Sequence, residues 1–181
     1  MFLVSAVLVR DDAIPAAERS AFEFVNGWPQ WVSWPLYPVM QFGMVLSPVV
    51  AAGVAWAFTR RRQPALALVT TGLGMWLAAK LVKVVVDRPR PGLLLEDVVL
   101  RVDAGSSGLG FVSGHAVLAA VIATIASPYL PRRWAAAIWA LAAGAGLSRV
   151  YIGAHLPLDS IGGAGLGVAA GAVALIFIRR D

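Results

Sequence analysis

Residues 36–58, LYPVMQFGMVLSPVVAAGVAWAF, run without one charged side chain. As a single helix they reach roughly 34 Å at 1.5 Å per residue, enough to cross a hydrocarbon core of about 30 Å. A membrane protein is predicted, and the composition agrees: of 181 residues, 59% are apolar and 14% charged, against about 25% charged in a typical globular chain. The absence of cysteine excludes disulfide frameworks, thiolate nucleophiles and zinc-thiolate sites together. The formal net charge of +5 does not describe a nucleic-acid surface, because the basic residues fall at the ends of apolar runs.

Further apolar segments follow at 64–86, 112–130, 134–153 and 161–178, the first of these uncharged until Lys80 and Lys83. The predicted fold class is all-α, a polytopic helical membrane bundle of about five transmembrane helices. One domain spans residues 1–181, with 1–35 as an interfacial N-terminal segment. Arg60 to Arg62, Arg132, Arg133, Arg179 and Arg180 fall on one side of these spans, and nine of the ten acidic residues fall on the other, Asp181 being the exception. Short cytoplasmic loops are enriched in Lys and Arg, so the N-terminus is predicted outside and the C-terminus inside.

The opening MFLVSAVLVRDD is too short to span and lacks the basic flank of a signal peptide, which suits a surface position. Residues 16–26 gather Ala21, Phe22 and Val25 near one face and Glu18, Arg19 and Glu23 mostly elsewhere, as an interfacial helix or a partly ordered terminus would. Trp28, Trp31, Trp34 and Tyr37 read as an aromatic belt. Small residues recur every fourth position at Ala136, Ala140, Gly144 and Ser148, and at Gly163, Gly167 and Gly171, a spacing that lets helices approach closely.

Three polar clusters share the outward face of this topology. In KVVVDRPRP, Lys83 to Pro91, two X-Pro steps hold an extended arm that presents Arg88 and Arg90. Lys80, Arg88 and Arg101 read as snorkelling interfacial cations; Lys83 and Arg90 fit that role or a site equally well. In GLGFVSGHA, Ser113 and Gly114 offer a hydroxyl and a backbone N–H at a helix start, where anions bind readily, with His115 beside them. In SRVYIGAHLPLDS, Arg149 ends one span and His155 precedes Asp159 by four residues. A helix beginning near Pro157 brings that carboxylate within reach of one imidazole nitrogen, which orients the ring as a nucleophile or base. Taken alone the pair reads equally as a buried histidine satisfied by an acid. The chain has only two histidines, and both fall among these cations, which together describe a site for phosphoryl transfer through a side chain.

These residues resemble the type 2 phosphatidic acid phosphatase family, the membrane branch of a superfamily that includes vanadium haloperoxidases and bacterial acid phosphatases. The family pattern is K-x6-R-P, then P-S-G-H, then S-R-x5-H-x3-D. Lys83, Arg90 and Pro91 meet the first part, Ser113, Gly114 and His115 the second, and Ser148, Arg149, His155 and Asp159 the third. Val112 stands where the family has proline, a change that can loosen the loop before Ser113 without removing a reactive group.

The resemblance implies that His155 attacks phosphorus to form a phosphohistidine, with Asp159 orienting it, and that His115 protonates the leaving oxygen and then activates water. It implies phosphate binding by Lys83, Arg90, Ser113, Gly114 and Arg149, with no metal or other cofactor. The partner is then a lipid phosphate held among membrane lipids: phosphatidic acid, phosphatidylglycerol phosphate or a polyprenyl (pyro)phosphate. The Ala-, Val- and Arg-rich composition suits a high-GC bacterium, hence a bacterial cytoplasmic membrane with the site on the extracytoplasmic side. A phosphotransferase using the same histidine, a non-enzymatic lipid-phosphate binder or translocator, and a metal site at His115, His155 and Asp159 are the competing readings.

Overall fold

The uncharged run at 36–58 does not form one helix. The computed structural model, which describes residues 1–9, 14–105 and 107–178, breaks it into α3 (Ser33–Gln41) and α4 (Ser47–Thr59). Pro38 lies inside α3, Pro48 occupies the first turn of α4 where its missing N–H costs nothing, and Gly43 lies in the break. A Cβ on Gly43 would stand 2.6 to 2.8 Å from the His115 carbonyl, Cβ and Cα. The break therefore carries the chain across the start of a later helix at a distance only glycine permits, and the expected continuous span is corrected to two short helices.

The other elements are α1 (Phe2–Leu8), α2 (Ala16–Asn26), α5 (Arg62–Val86), α6 (Pro91–Leu94), α7 (Gly114–Ala126), α8 (Arg132–Tyr151) and α9 (Pro157–Phe177). The segments expected at 64–86, 134–153 and 161–178 match α5, α8 and α9 to within a few residues. No strand occurs among the described residues; one isolated bridge joins Pro89 to Leu109. Two described helices, α5 and α9, are each long and apolar enough to cross a membrane, so the five-span count is not established by length and composition. Arg10, Asp11, Asp12, Arg179, Arg180 and Asp181, which carry part of the predicted charge asymmetry, lie outside the described residues.

Helix α7 is the axis of the bundle. Its residues Ala116 to Ala123 are all buried, and α4, α5, α8 and α9 all pack against it, as a helix apolar on every side requires. The Gly163, Gly167 and Gly171 stripe of α9 faces this axis: Cβ atoms there would meet the carbonyls of Ser113 and Val117 and the side chain of Thr124. The corresponding stripe of α8 is only half realised. Gly144 meets Val39 and Ser148 is buried, but Ala136 and Ala140 point outward, and Ala142 and Ala145 make the contact with α7 instead.

Large apolar side chains cover the outside, among them Phe58, Leu81, Val85, Ile176 and Phe177. Exposed apolar surface of this extent marks a face that meets a membrane or another protein. Between α4, α5, α7 and α8 lies an apolar groove of about 1070 Å³, lined in part by Phe42, Val54, Ile122, Ile125 and Leu141. At the N-terminus, α1 does not simply rest on the surface. Ser5 and Val9 are buried, Phe2 stacks on Phe111 with ring centroids 6.0 Å apart, and α1 packs along α9. In α2, Phe22 is buried as expected and Val25 half-buried, but Ala21 is exposed and Glu18 is buried. Of the four aromatics read as a boundary belt, Trp31 and Trp34 are exposed, but Trp28 and Tyr37 are half-buried and pack against the cluster of Met40, Tyr151 and Ile152.

Candidate active site

Five stretches of chain meet at one end of α7, and backbone hydrogen bonds fix their register. The basic arm after α5 is strapped to the glycine-rich loop before α7: Arg90 N–H donates to Gly108 O (3.2 Å) and Gly110 N–H to Arg88 O (2.7 Å). Lys83, in the last turn of α5, donates from Nζ to Leu109 O (2.8 Å) and Gly110 O (3.0 Å). A Cβ on Gly110 would approach Asp159 Oδ2 to 2.9 Å and Pro89 O to 3.0 Å, so arm, loop and α9 can close this tightly only around glycine. Ser113 N–H in turn donates to Asp159 O (3.0 Å), which ties the start of α7 to the start of α9.

Ser113 caps α7 in an extended conformation, with Gly114 and His115 as the first helical residues. The first-turn N–H groups of a helix lack intrahelical acceptors and favour anions. Val112, where the family has proline, is fully buried in the same apolar cluster as Ala79, Phe111 and Val117.

At the opposite wall α8 ends near Arg149, and the chain reverses through Gly153 at φ 83, where a left-handed conformation is needed. The Ala154 and His155 N–H groups both donate to Arg149 O (3.0 and 3.2 Å), which seats His155 beside Arg149. Asp159 lies in the first turn of α9, where Oδ2 accepts the Leu156 N–H (2.9 Å) and faces His155 Nδ1 at 3.5 Å. That approach is too long for a formed hydrogen bond. Burial, reinforced by the nearby Lys83 and Arg149 cations and opposed by Asp159, lowers His155 from 6.5 to about 4. The ring is therefore neutral at neutral pH, the form in which a nitrogen lone pair is available.

Among the described residues six side chains hold a buried polar atom with no hydrogen-bond partner, Ser113 Oγ, His155 Nδ1 and the Nε atoms of Arg88, Arg90, Arg101 and Arg149, and three of them, Ser113, Arg90 and Arg149, are in the expected phosphate-binding set. Arg149 otherwise reaches only Met40 Sδ and Asp103 O, both at 3.4 Å, while Arg90 donates to Ala104 O (2.5 Å) and Gly105 O (3.3 Å). Buried donors without partners are rare and call for a ligand or a functional reason. Among the described residues no group of three or more His, Asp or Glu side chains has the arrangement to hold a metal ion.

Two cations read as interfacial are corrected. Arg88 is fully buried, donating to Asp159 Oδ1 (2.8 Å) and to Glu18 Oε2 (2.7 Å). Burial works against its charge, but the Glu18 hydrogen bond and the Asp159 charge outweigh it and raise its pKa. Arg101 donates to the carbonyls of Asn26 (2.9 Å), Tyr151 (2.6 Å) and Trp28 (2.8 Å), fastening the N-terminal segment to α8. Lys80 is exposed as expected, with Nζ 3.7 Å from the Trp76 ring centroid. Glu18 was not recognisable as part of this cluster: on the helical face of α2 it reads as one acid among several.

An all-helical bundle with an apolar exterior and a cationic, histidine-bearing end defines a class of integral-membrane protein. Within it the chain belongs to the PAP2 superfamily, which residues 63–181 match. The crystal structure of Aquifex aeolicus LpxE is similar with a TM-score of 0.80 and 25% identity, over 93% of this chain and 99% of that one. A transmembrane PAP2-type phosphatidylglycerolphosphate phosphatase from Bacillus subtilis shares the fold, with a TM-score of 0.72 and 24% identity over 99% of this chain and 94% of that one. No curated protein sequence gives a significant match.

Proposed function

We propose that this protein is a membrane lipid phosphatase that hydrolyses a lipid phosphomonoester or diphosphate through a phosphohistidine. The observation that carries the reading is the convergence of Lys83, Arg90, Ser113, Gly114, His115, Arg149, His155 and Asp159 at one end of α7, through the hydrogen bonds that tie α5, the arm, the loop and α9 together. Neutral His155 attacks phosphorus through Nε2 as the bond to the leaving oxygen breaks, and His115, starting as the imidazolium, gives its ring proton to that oxygen and is left neutral. In the second half His115 takes a proton from water, the water oxygen attacks phosphorus, and the P–N bond breaks to restore His155. Asp159 faces Nδ1, so the proton there has a carboxylate to meet when the ring becomes positive. Lys83, Arg90, Arg149, the Ser113 hydroxyl and the Gly114 N–H neutralise the phosphoryl oxygens, which is the largest electrostatic demand of the reaction. No step calls for a metal.

The substrate class follows from the surroundings. A phosphate site set in a bundle with a lipid-facing exterior suits a headgroup that enters from one leaflet while its chain stays in the bilayer. The apolar groove supports this reading, because Ile122 lines it from the α7 face that carries His115 one heptad earlier. Phosphatidic acid, phosphatidylglycerol phosphate and polyprenyl (pyro)phosphates all fit. The charge bias of the loops supports a site on the extracytoplasmic side, the Ala-, Val- and Arg-rich composition a bacterial cytoplasmic membrane, and residues 1–181 act as one domain in this reading.

The test is phosphate release by the purified protein from a panel of these lipids, beside His155→Ala, with and without an acceptor alcohol and after exhaustive chelation. Free phosphate from the wild type alone, unaffected by chelator, is the expected result. Phosphate passed only to the alcohol would make the protein a transferase, and equal release by His155→Ala would refute the reading.

A further inference from the structure

Arg88 is outside the phosphate-binding set, yet it is fully enclosed. Its side chain is 0% exposed, as is that of Asp159, and Glu18 is 3% exposed. Nη1 bridges Asp159 Oδ1 (2.8 Å) and Glu18 Oε1 (3.2 Å), while Nη2 reaches Glu18 Oε2 (2.7 Å). Glu18 Oε1 also accepts the Leu158 N–H (2.9 Å), one residue before Asp159. Helix α2 thus grips both the guanidinium and the backbone next to the carboxylate.

Stability alone does not account for such a cluster. Buried ion triads are commonly matched or exceeded in stability by apolar side chains of similar volume. What the triad does is fix Asp159. With Oδ1 on Arg88 and Oδ2 on the Leu156 N–H, the carboxylate has one orientation, and in it Oδ2 faces His155 Nδ1. The charges matter as well: Arg88 alone would cancel Asp159, whereas Glu18 leaves the triad net negative. That negative charge lies beside a ring which also faces the Lys83 and Arg149 cations and becomes positive when it bonds phosphorus.

We infer that Arg88, locked by Glu18, is a positioning residue that holds Asp159 toward His155 Nδ1, fixing the Nδ1–H tautomer and leaving Nε2 free to attack. The inference rests on the phosphohistidine reading above. It adds a contribution from α2, which lies outside residues 63–181 that match the superfamily.

The experiment uses the full chain in detergent, with dioctanoyl phosphatidic acid as the probe and Arg88→Met, Arg88→Lys and Glu18→Gln as variants. Thermal unfolding reports folding, and 15N NMR of labelled histidine reports the His155 tautomer. Arg88→Met is expected to lower kcat by about 100-fold with KM changed less than about threefold, the pattern of a lost transition-state interaction. Arg88→Lys recovers part of the loss, since a point charge replaces the fork. Glu18→Gln lowers kcat by about tenfold, a difference of about 1.4 kcal/mol. In Arg88→Met and Glu18→Gln the single Nδ1–H tautomer gives way to a mixture. A folded variant with wild-type kcat, or one whose kcat falls while the tautomer stays single, overturns the proposal. If Arg88→Met does not fold, Glu18→Gln decides it by the same criteria. A wild type that releases no phosphate fails the phosphatase reading instead, while the tautomer measurement still decides the clamp.

Discussion

His155 and Asp159 stand four residues apart across the first turn of α9, with Nδ1 3.5 Å from Oδ2. The pair is set by backbone on both sides: His155 through its N–H on Arg149 O, and Asp159 through the Leu156 N–H on its own carboxylate. A short reach remains between them, and catalytic hydrogen bonds of this kind often tighten only when substrate arrives.

Replacing Asp159 with Asn keeps the shape and removes the charge. The ring loses its preference for one tautomer, and Arg88 is left with Glu18 alone. In the proposed mechanism kcat falls by about 10⁴-fold, the loss found where the acid behind a catalytic histidine is neutralised. Steady-state phosphate release checks the rate. Thermal unfolding checks a second expectation, a loss of up to about 3–5 kcal/mol from breaking a buried ion pair.

The depressed His155 value fixes the sign of a pH effect. The unfolded chain binds a proton at the ordinary 6.5, and the folded chain only at about 4. Stability linked to this group is therefore intact above 6.5, declines as the pH falls through that window, and is gone below about 4. The thermal midpoint of the wild type is expected to drop more between pH 7 and pH 4.5 than that of His155→Asn. Equal slopes would contradict the assignment.

A methyl group at Gly163 would stand 2.6 Å from Ser113 O and 3.3 Å from Ala116 Cβ. Gly163→Ala must push α9 off α7 where Ser113 is bonded to Asp159. A loss of about 1–3 kcal/mol is expected, together with a fall in kcat, because the moved junction carries both sides of the site. Unfolding and turnover measured on the same sample check both.

Val54 lines the apolar groove and is itself exposed. If the groove takes the lipid chain, Val54→Trp removes room for about two methylenes, each worth about 0.8 kcal/mol. The expected result is a roughly tenfold drop in kcat/KM for a long-chain phosphatidic acid relative to the dioctanoyl lipid. The ratio is read from competition between the two.

Much of the site was legible because it is built from local patterns. Ser113-Gly114-His115 at a helix start, His155 four residues before Asp159 and an X-Pro arm carrying Arg90 each declare their geometry within a few residues. The polar ends of the α5, α8 and α9 helices were legible for the same reason. Arg88 was misread because burial is not local: its partners lie 70 and 71 residues away, and one is on α2. The same holds for Arg101, whose acceptors span the N-terminal segment and α8. The break in 36–58 depends on the approach of Gly43 to His115, a contact across the bundle that hydropathy does not register.

The phosphorylated intermediate tests the central claim most directly. Wild-type protein mixed with 32P-labelled phosphatidic acid and quenched in alkali, which preserves phosphohistidine, should carry label on His155 within the first turnover, and His155→Ala should carry none. Turnover with no label on His155, or label that survives in His155→Ala, would contradict the account.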